Sequence, residues 1–159
     1  MTTPVSVPGV TGPVPAAYAA PMEAFVQGIQ LVNKLVESPN GSGNDPRLAQ
    51  LFGGEGLDAI KHVINGMRGA SGGNEAEKIS SETITFVQGI SVGSSMATFK
   101  ACDSNDTSPY YVATGQPVPK SDMGLVALIG KETMLKTARG NWVLVVGNNS
   151  SVISGACPI

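Results

Sequence analysis

Apolar side chains take on a helical period once the chain passes residue 22, where Phe25, Ile29, Val32 and Val36 fall at i, i+4, i+7 and i+11. That spacing sets them along one face of a helix of about four turns. The pattern stops at Ser38-Pro39-Asn40-Gly41, a turn signal. Asp45-Pro46 opens a second helix over 45–52, since the Asp can accept from free amide N–H groups and proline suits the first helical position. Gly53-Gly54 ends it. Leu57, Ile60, Ile64 and Met67 then repeat at i, i+3, i+7 and i+10 up to Gly69, which predicts a third helix with a narrow apolar stripe.

Past Gly72-Gly73 the residues change to Thr, Val, Ile and Ser with a period of two. The alternation of Ile84, Phe86 and Gln88 with Thr83, Thr85 and Val87 is the clearest case. Strands are predicted near 82–88, 93–102, 123–137 and 141–147, with breaks at Gly89, 104–108 and 116–121. Thr137-Ala-Arg-Gly-Asn141 is a hairpin turn between the last two. Consecutive strands joined by short loops make an antiparallel sheet, so the expected class is α+β, with three helices packed on that sheet. The positions read as inward-facing are Ile84, Phe86, Met96, Phe99, Ile129, Leu135 and Val145, and none is acidic. Trp142, opening the last strand, is the expected core anchor, in contact with Phe25 or Ile29.

The first 21 residues have neither period. Pro4, Pro8, Pro13, Pro15 and Pro21 lie among uncharged residues, which reads as an extended or disordered tether that docks nowhere, ahead of a single domain over 22–159. No stretch approaches the roughly 20 apolar residues that span a bilayer. The opening residues also lack the basic start and apolar run of a signal peptide, so export would imply a signal or anchor that this chain does not carry.

Composition narrows the partners. At 159 residues and 42% hydrophobic the chain can bury one core, while only 14% is charged, against roughly 25% in typical soluble chains. Ten Lys and Arg against twelve Asp and Glu give a net charge of -2, and the basic residues are spread from Lys34 to Arg139. A nucleic-acid groove needs several cations on one face, so that partner is excluded from the reading.

Two cysteines are too few for a structural zinc site, and the single histidine, His62, has no HxxxH or CxxC spacing. No metal or cofactor is expected. The cysteines read as a Cys102–Cys157 disulfide joining the end of one strand to the chain's tail, as in an oxidising compartment; the alternatives are two buried thiols in a reducing one, or a reactive cysteine. His62 has Asp58 one turn before it, the arrangement of an oriented general base. Yet it lies roughly 160–200° from the middle of the apolar stripe, which predicts a solvated side chain. Asp103 and Asp106, with Ser104 and Asn105, gather oxygen ligands but lack the spacing, glycine and terminal glutamate of an EF-hand, so they read as a solvated polar turn. Of the adjacent pair Tyr110 and Tyr111, alternation leaves one exposed, a weak candidate for ligand contact. No GxSxG, GxGxxG, phosphate loop or HExxH occurs.

The order of elements, with Ala97-Thr-Phe-Lys-Ala-Cys102-Asp-Ser-Asn-Asp106, Val112-Ala-Thr-Gly-Gln116, Gly140-Asn-Trp142-Val-Leu-Val-Val146 and Ser154-Gly-Ala-Cys157, resembles the NTF2-like (cystatin-like) superfamily, in particular secreted actinobacterial NTF2-like domains. The resemblance spans about 22–157. It implies a cone of helices on a curved antiparallel sheet, and hosts enzymes, ligand binders and assembly parts alike. Three functions follow as expectations. The first is a non-catalytic extracytoplasmic accessory or binding domain for a protein or a small apolar ligand. The second is an assembly component that pairs through its sheet, for instance as a homodimer, which an exposed apolar sheet face would promote. The third is an isomerase or dehydratase using the cone cavity, which a pocket carboxylate with a raised pKa would favour.

Overall fold

In the computed structural model, which describes residues 3–69, 74–119 and 125–158, the first apolar period forms α1 (Ala19–Glu37). Its buried face is broader than the four periodic residues, adding Met22, Val26, Leu31 and Leu35. The second helix is a single turn, α2 (Leu48–Leu51), that starts later than expected: no side chain caps it, and Asp45 accepts from the Arg47 N–H at 2.9 Å in the turn before it. The third is α3 (Gly54–Gly69).

Two short strands precede the helices: β1 (Pro4–Val5) pairs antiparallel with β2 (Val14–Pro15). The main sheet has four antiparallel strands in the order of the chain, β3 (Glu75–Val92), β4 (Met96–Tyr111), β5 (Val126–Lys136) and β6 (Trp142–Ser154). The class is the expected one, α+β, with helices on one face of a curved antiparallel sheet. The strands run longer than the pattern suggested. Gly89 lies inside β3, and 104–108, read as a polar break, continues β4, because cross-strand pairing such as Asp106 with Ser80 and Thr107 with Ile79 satisfies the backbone there whatever the side chains. The expected break at Gly72-Gly73 and the expected strand start at Met123 lie outside the described residues.

The tether expected over 1–21 is corrected over its described part. Val7 and Val14 are buried in one cluster with Met22, Phe25, Val26, Ile84 and Phe99. The Thr11 N–H donates to the Ile84 carbonyl at 2.8 Å, and the Tyr18 ring lies against Phe86 at 5.2 Å and edge-on to Phe99 at 6.3 Å. Prolines remove backbone donors and so suppress a periodic ladder, but they leave Val and Tyr free to bury area on a neighbour. Phe99 is the largest fully buried side chain. Trp142, the expected anchor, is only half-buried and packs at the edge of this cluster, its ring also met by the Lys136 Nζ at 5.9 Å.

A second cluster joins α1, α2 and α3 through Leu31, Leu35, Leu48, Phe52 and Ile64. Arg68, near the end of α3, completes that junction: its guanidinium donates at 2.6–3.1 Å to the carbonyls of Leu35 and Val36 in the last turn of α1 and to those of Ser38 and Gly41 in the turn that follows. The segment after α2 runs beside β6, where the Gly53 N–H reaches the Leu144 carbonyl at 2.9 Å. A Cβ on Gly56 would stand 2.6 Å from that same carbonyl oxygen, so only glycine lets α3 start this close to the strand.

Candidate functional site

Between α1 and α3 on one side and the sheet on the other lies a cavity of about 370 Å³. The inward alternation of the strands builds its floor. On β4 the positions are Phe99, Ala101 and Asp103; on β5 they are Leu128, Gly130, Glu132 and Met134, paired across as Asp103 with Leu128 and Phe99 with Glu132. The helices supply Phe25, Ile29, Val32 and Asn33 from α1, and Ala59, Ile60 and Val63 from α3. Phe52, Leu144 and Gly147 close the side along β6.

The parity read from sequence holds for Ile84, Phe86 and Phe99, and fails elsewhere. Met96 and Leu135 are exposed on the opposite face, Met134 being the buried neighbour, and Ile129 packs on the disulfide. β5 carries apolar residues on both faces, so alternation alone does not say which set is inside. A bulge in β6 between the partners of Thr133 and Met134 further shifts the phase around Val145.

Glu132 escapes the sequence reading for this reason. Glu132 is 94% buried, 6% exposed, and lines the cavity; burial pushes its carboxyl up to about 7. A Cβ on Gly147 would lie 2.8 Å from Glu132 Oε2, so the glycine leaves room for that carboxyl. Asp103, read as a solvated turn residue, points into the cavity from mid-strand. Its Oδ1 is buried without a hydrogen-bond partner among the described residues, and burial, then the charges of Glu82 and Glu132, push it up to about 7. The signal was present: Asp103 shares the parity of Phe99 and Ala101, four and two positions back. Glu82 stands beside them, accepting from Asn33 Nδ2 at 2.8 Å and Asn105 Nδ2 at 3.3 Å; burial raises its pKa, and the two amides oppose the rise. It sits in a bulge of β3 with Ser81, whose φ of 59° is left-handed.

The other candidates lie away from the cavity. His62 is exposed on α3 and does not line it. Asp106 is on β4, beyond the lining. Tyr110 and Tyr111 end β4, paired with Ala76 and Glu75, with the Lys78 Nζ 5.6 Å from the Tyr110 ring. Cys102 and Cys157 form a disulfide with Cα atoms 5.8 Å apart, on the sheet face opposite the cavity, against Ala127 and Ile129. Among the described residues no group of three His, Cys, Asp or Glu is placed to hold a metal ion, and no helix is long and apolar enough to cross a membrane.

No family model and no curated protein matches the chain. Among solved structures it is similar to the intermembrane space region of the chloroplast protein ARC6, with 12% identity and a TM-score of 0.59 over 84% of this chain and 95% of that one. It also aligns with a ketosteroid isomerase-like protein from Erwinia carotovora atroseptica SCRI1043, with 13% identity and a TM-score of 0.46 over 87% of this chain and 99% of that one. At such identities the likeness to the ARC6 region is one of fold.

Proposed function

We propose that this chain is an extracytoplasmic binding domain that takes a small, mainly apolar molecule into the cone cavity. The observation that carries this reading is an apolar hollow lined by two largely buried acids, Glu132 and Asp103, the latter with its Oδ1 buried and without a hydrogen-bond partner among the described residues. Ligand sites are commonly apolar walls with a few placed polar groups, and an unsatisfied buried acceptor gains most from a ligand that supplies a donor. The disulfide supports a location outside the reducing cytosol. Among the described residues the lining holds carboxyls and one amide, but no histidine, cysteine, lysine, serine or tyrosine, which supports binding over covalent turnover.

The test is saturable fluorescence enhancement of the neutral apolar probe N-phenyl-1-naphthylamine. Ala59 lines the cavity yet is exposed, so Ala59→Trp plugs the hollow without disturbing the core. One-to-one binding that Ala59→Trp abolishes is the expected result. Non-saturating enhancement, or binding unchanged by the plug, defeats the proposal.

A second reading is favoured by one observation, the pair of pocket carboxyls held near 7, since acids poised near neutral pH suit proton transfer to and from a bound molecule. Loss of an exchangeable proton from a bound ketone, followed by deuterium uptake and absent in Asp103→Asn, is its measurement. Pairing through the sheet has support from Met96, Leu135 and Val146, all exposed on the face away from the cavity, and sedimentation of the purified chain as a dimer is its sign.

A further inference from the structure

Two carboxyl side chains line the cavity, Asp103 from β4 and Glu132 from β5, and the charge of a third, Glu82 on β3, acts on Asp103 from beside it. Among the described residues no Lys, Arg or His lines the hollow, and the side-chain amide of Asn33 donates to Glu82. Glu132 is 94% buried, being 6% exposed, and accepts no hydrogen bond among the described residues, so its oxygens meet only the cavity and its walls. Asp103 Oδ1 stands likewise without a donor. Each ionised carboxylate is acceptor-only, and buried charges of one sign repel unless something of the other sign joins them. The acids are not grouped closely enough to chelate a metal ion. What the geometry leaves open is a body of apolar shape carrying N–H donors and a positive charge.

We infer that the ligand of this cavity is a lipophilic amine, its ammonium group drawn to the carboxylates of Asp103 and Glu132 and its apolar body against Phe25, Ile29, Phe52 and Ile60. This rests on the reading of the cavity as a small-molecule site and gives that site its ligand class. An ammonium supplies up to three N–H donors to two acceptor-only groups and cancels their repulsion. A neutral alcohol of the same shape offers one donor and no charge, and an anion adds to the repulsion.

Three ligands of one shape separate these cases: 1-adamantylmethylamine, 1-adamantanemethanol and 1-adamantanecarboxylate, titrated calorimetrically into the whole chain at pH 8. Close charge pairs in desolvated sites couple strongly enough that the amine is expected to bind roughly tenfold or more tighter than the alcohol, and the carboxylate weakest. Asp103→Asn and Glu132→Gln each narrow the amine's advantage, and the double variant removes it, so that amine and alcohol then bind alike. The wild-type order carries the test even if a variant folds poorly. Alcohol binding equal to or tighter than amine binding overturns the amine while leaving the cavity a ligand site. Absence of binding by all three overturns the amine as well, and if N-phenyl-1-naphthylamine also fails to bind, the cavity reading falls with it.

Discussion

Replacing Glu132 by glutamine tests the electrostatics of the cavity through folding alone. In the unfolded chain this carboxyl ionises near its ordinary value of 4.5, whereas in the folded protein burial holds it near 7. Between those values the unfolded chain has released a proton that the folded one keeps, so stability is fully present below about 4.5 and is lost as pH rises through 7. At about 1.4 kcal/mol per pH unit, the gap corresponds to about 3 kcal/mol above pH 8. Asp103, raised from 3.8 to about 7, and Glu82, also raised, act with the same sign. Asp45, lowered to about 2 by its hydrogen bonds from Arg47, acts with the opposite sign, but only below about pH 4. The wild type is therefore expected to melt at a higher temperature at pH 5 than at pH 8. Glutamine keeps the shape and cannot ionise. Since 1 kcal/mol moves the melting temperature of a domain this size by about 2–4 °C, Glu132→Gln should gain about 6–12 °C at pH 8 and little at pH 5. Thermal melts followed by circular dichroism from pH 4.5 to 8.5 measure both. A wild-type melting temperature flat to within about 1 °C from pH 5 to 8, or an equal loss in the variant at both ends, would refute the reasoning.

Other perturbations probe the rest of the fold. Deleting 1–15 exposes the sites of Val7 and Val14, worth about 1.5–3 kcal/mol each, and should lower the melting temperature on the order of 10 °C; an unchanged melt would show that the leader's packing contributes nothing. Cys157→Ser opens a loop closed across a sequence separation of 55 residues and should cost about 4 kcal/mol in denaturant unfolding, with non-reducing mass analysis of the wild type finding no free thiol. Phe99→Ala should cost about 3–5 kcal/mol, and Trp142→Ala less, because the indole is half-exposed; the reverse order would return the anchor to Trp142.

The helices and the order of the strands were legible because period and punctuation are local properties. Phe25, Ile64 and the Ser38–Gly41 turn needed no tertiary information. The site was harder to read, for three physical reasons. Strand face depends on bulges, and the irregularities around Ser81 and Val145 come from pairing rather than from any residue type. β5 is apolar on both faces, one covered by helices and the other partly by the disulfide, so Glu132 could not be assigned to the cavity by alternation. Asp103 was hidden by its company: with Ser104, Asn105 and Asp106 it has the composition of a turn, and only the neighbouring strands keep that stretch extended. The leader failed in the other direction, since a segment without period can still dock residue by residue.

Arg68 carries a mechanical consequence. One guanidinium spans the end of α1, the turn after it and its own helix, so the two helices that roof the cavity are bolted together at their C-terminal ends. They share a pivot. Arg68 does not line the cavity, so the helical side of the hollow is held together at a point outside its lining, across from a sheet whose far face carries the disulfide.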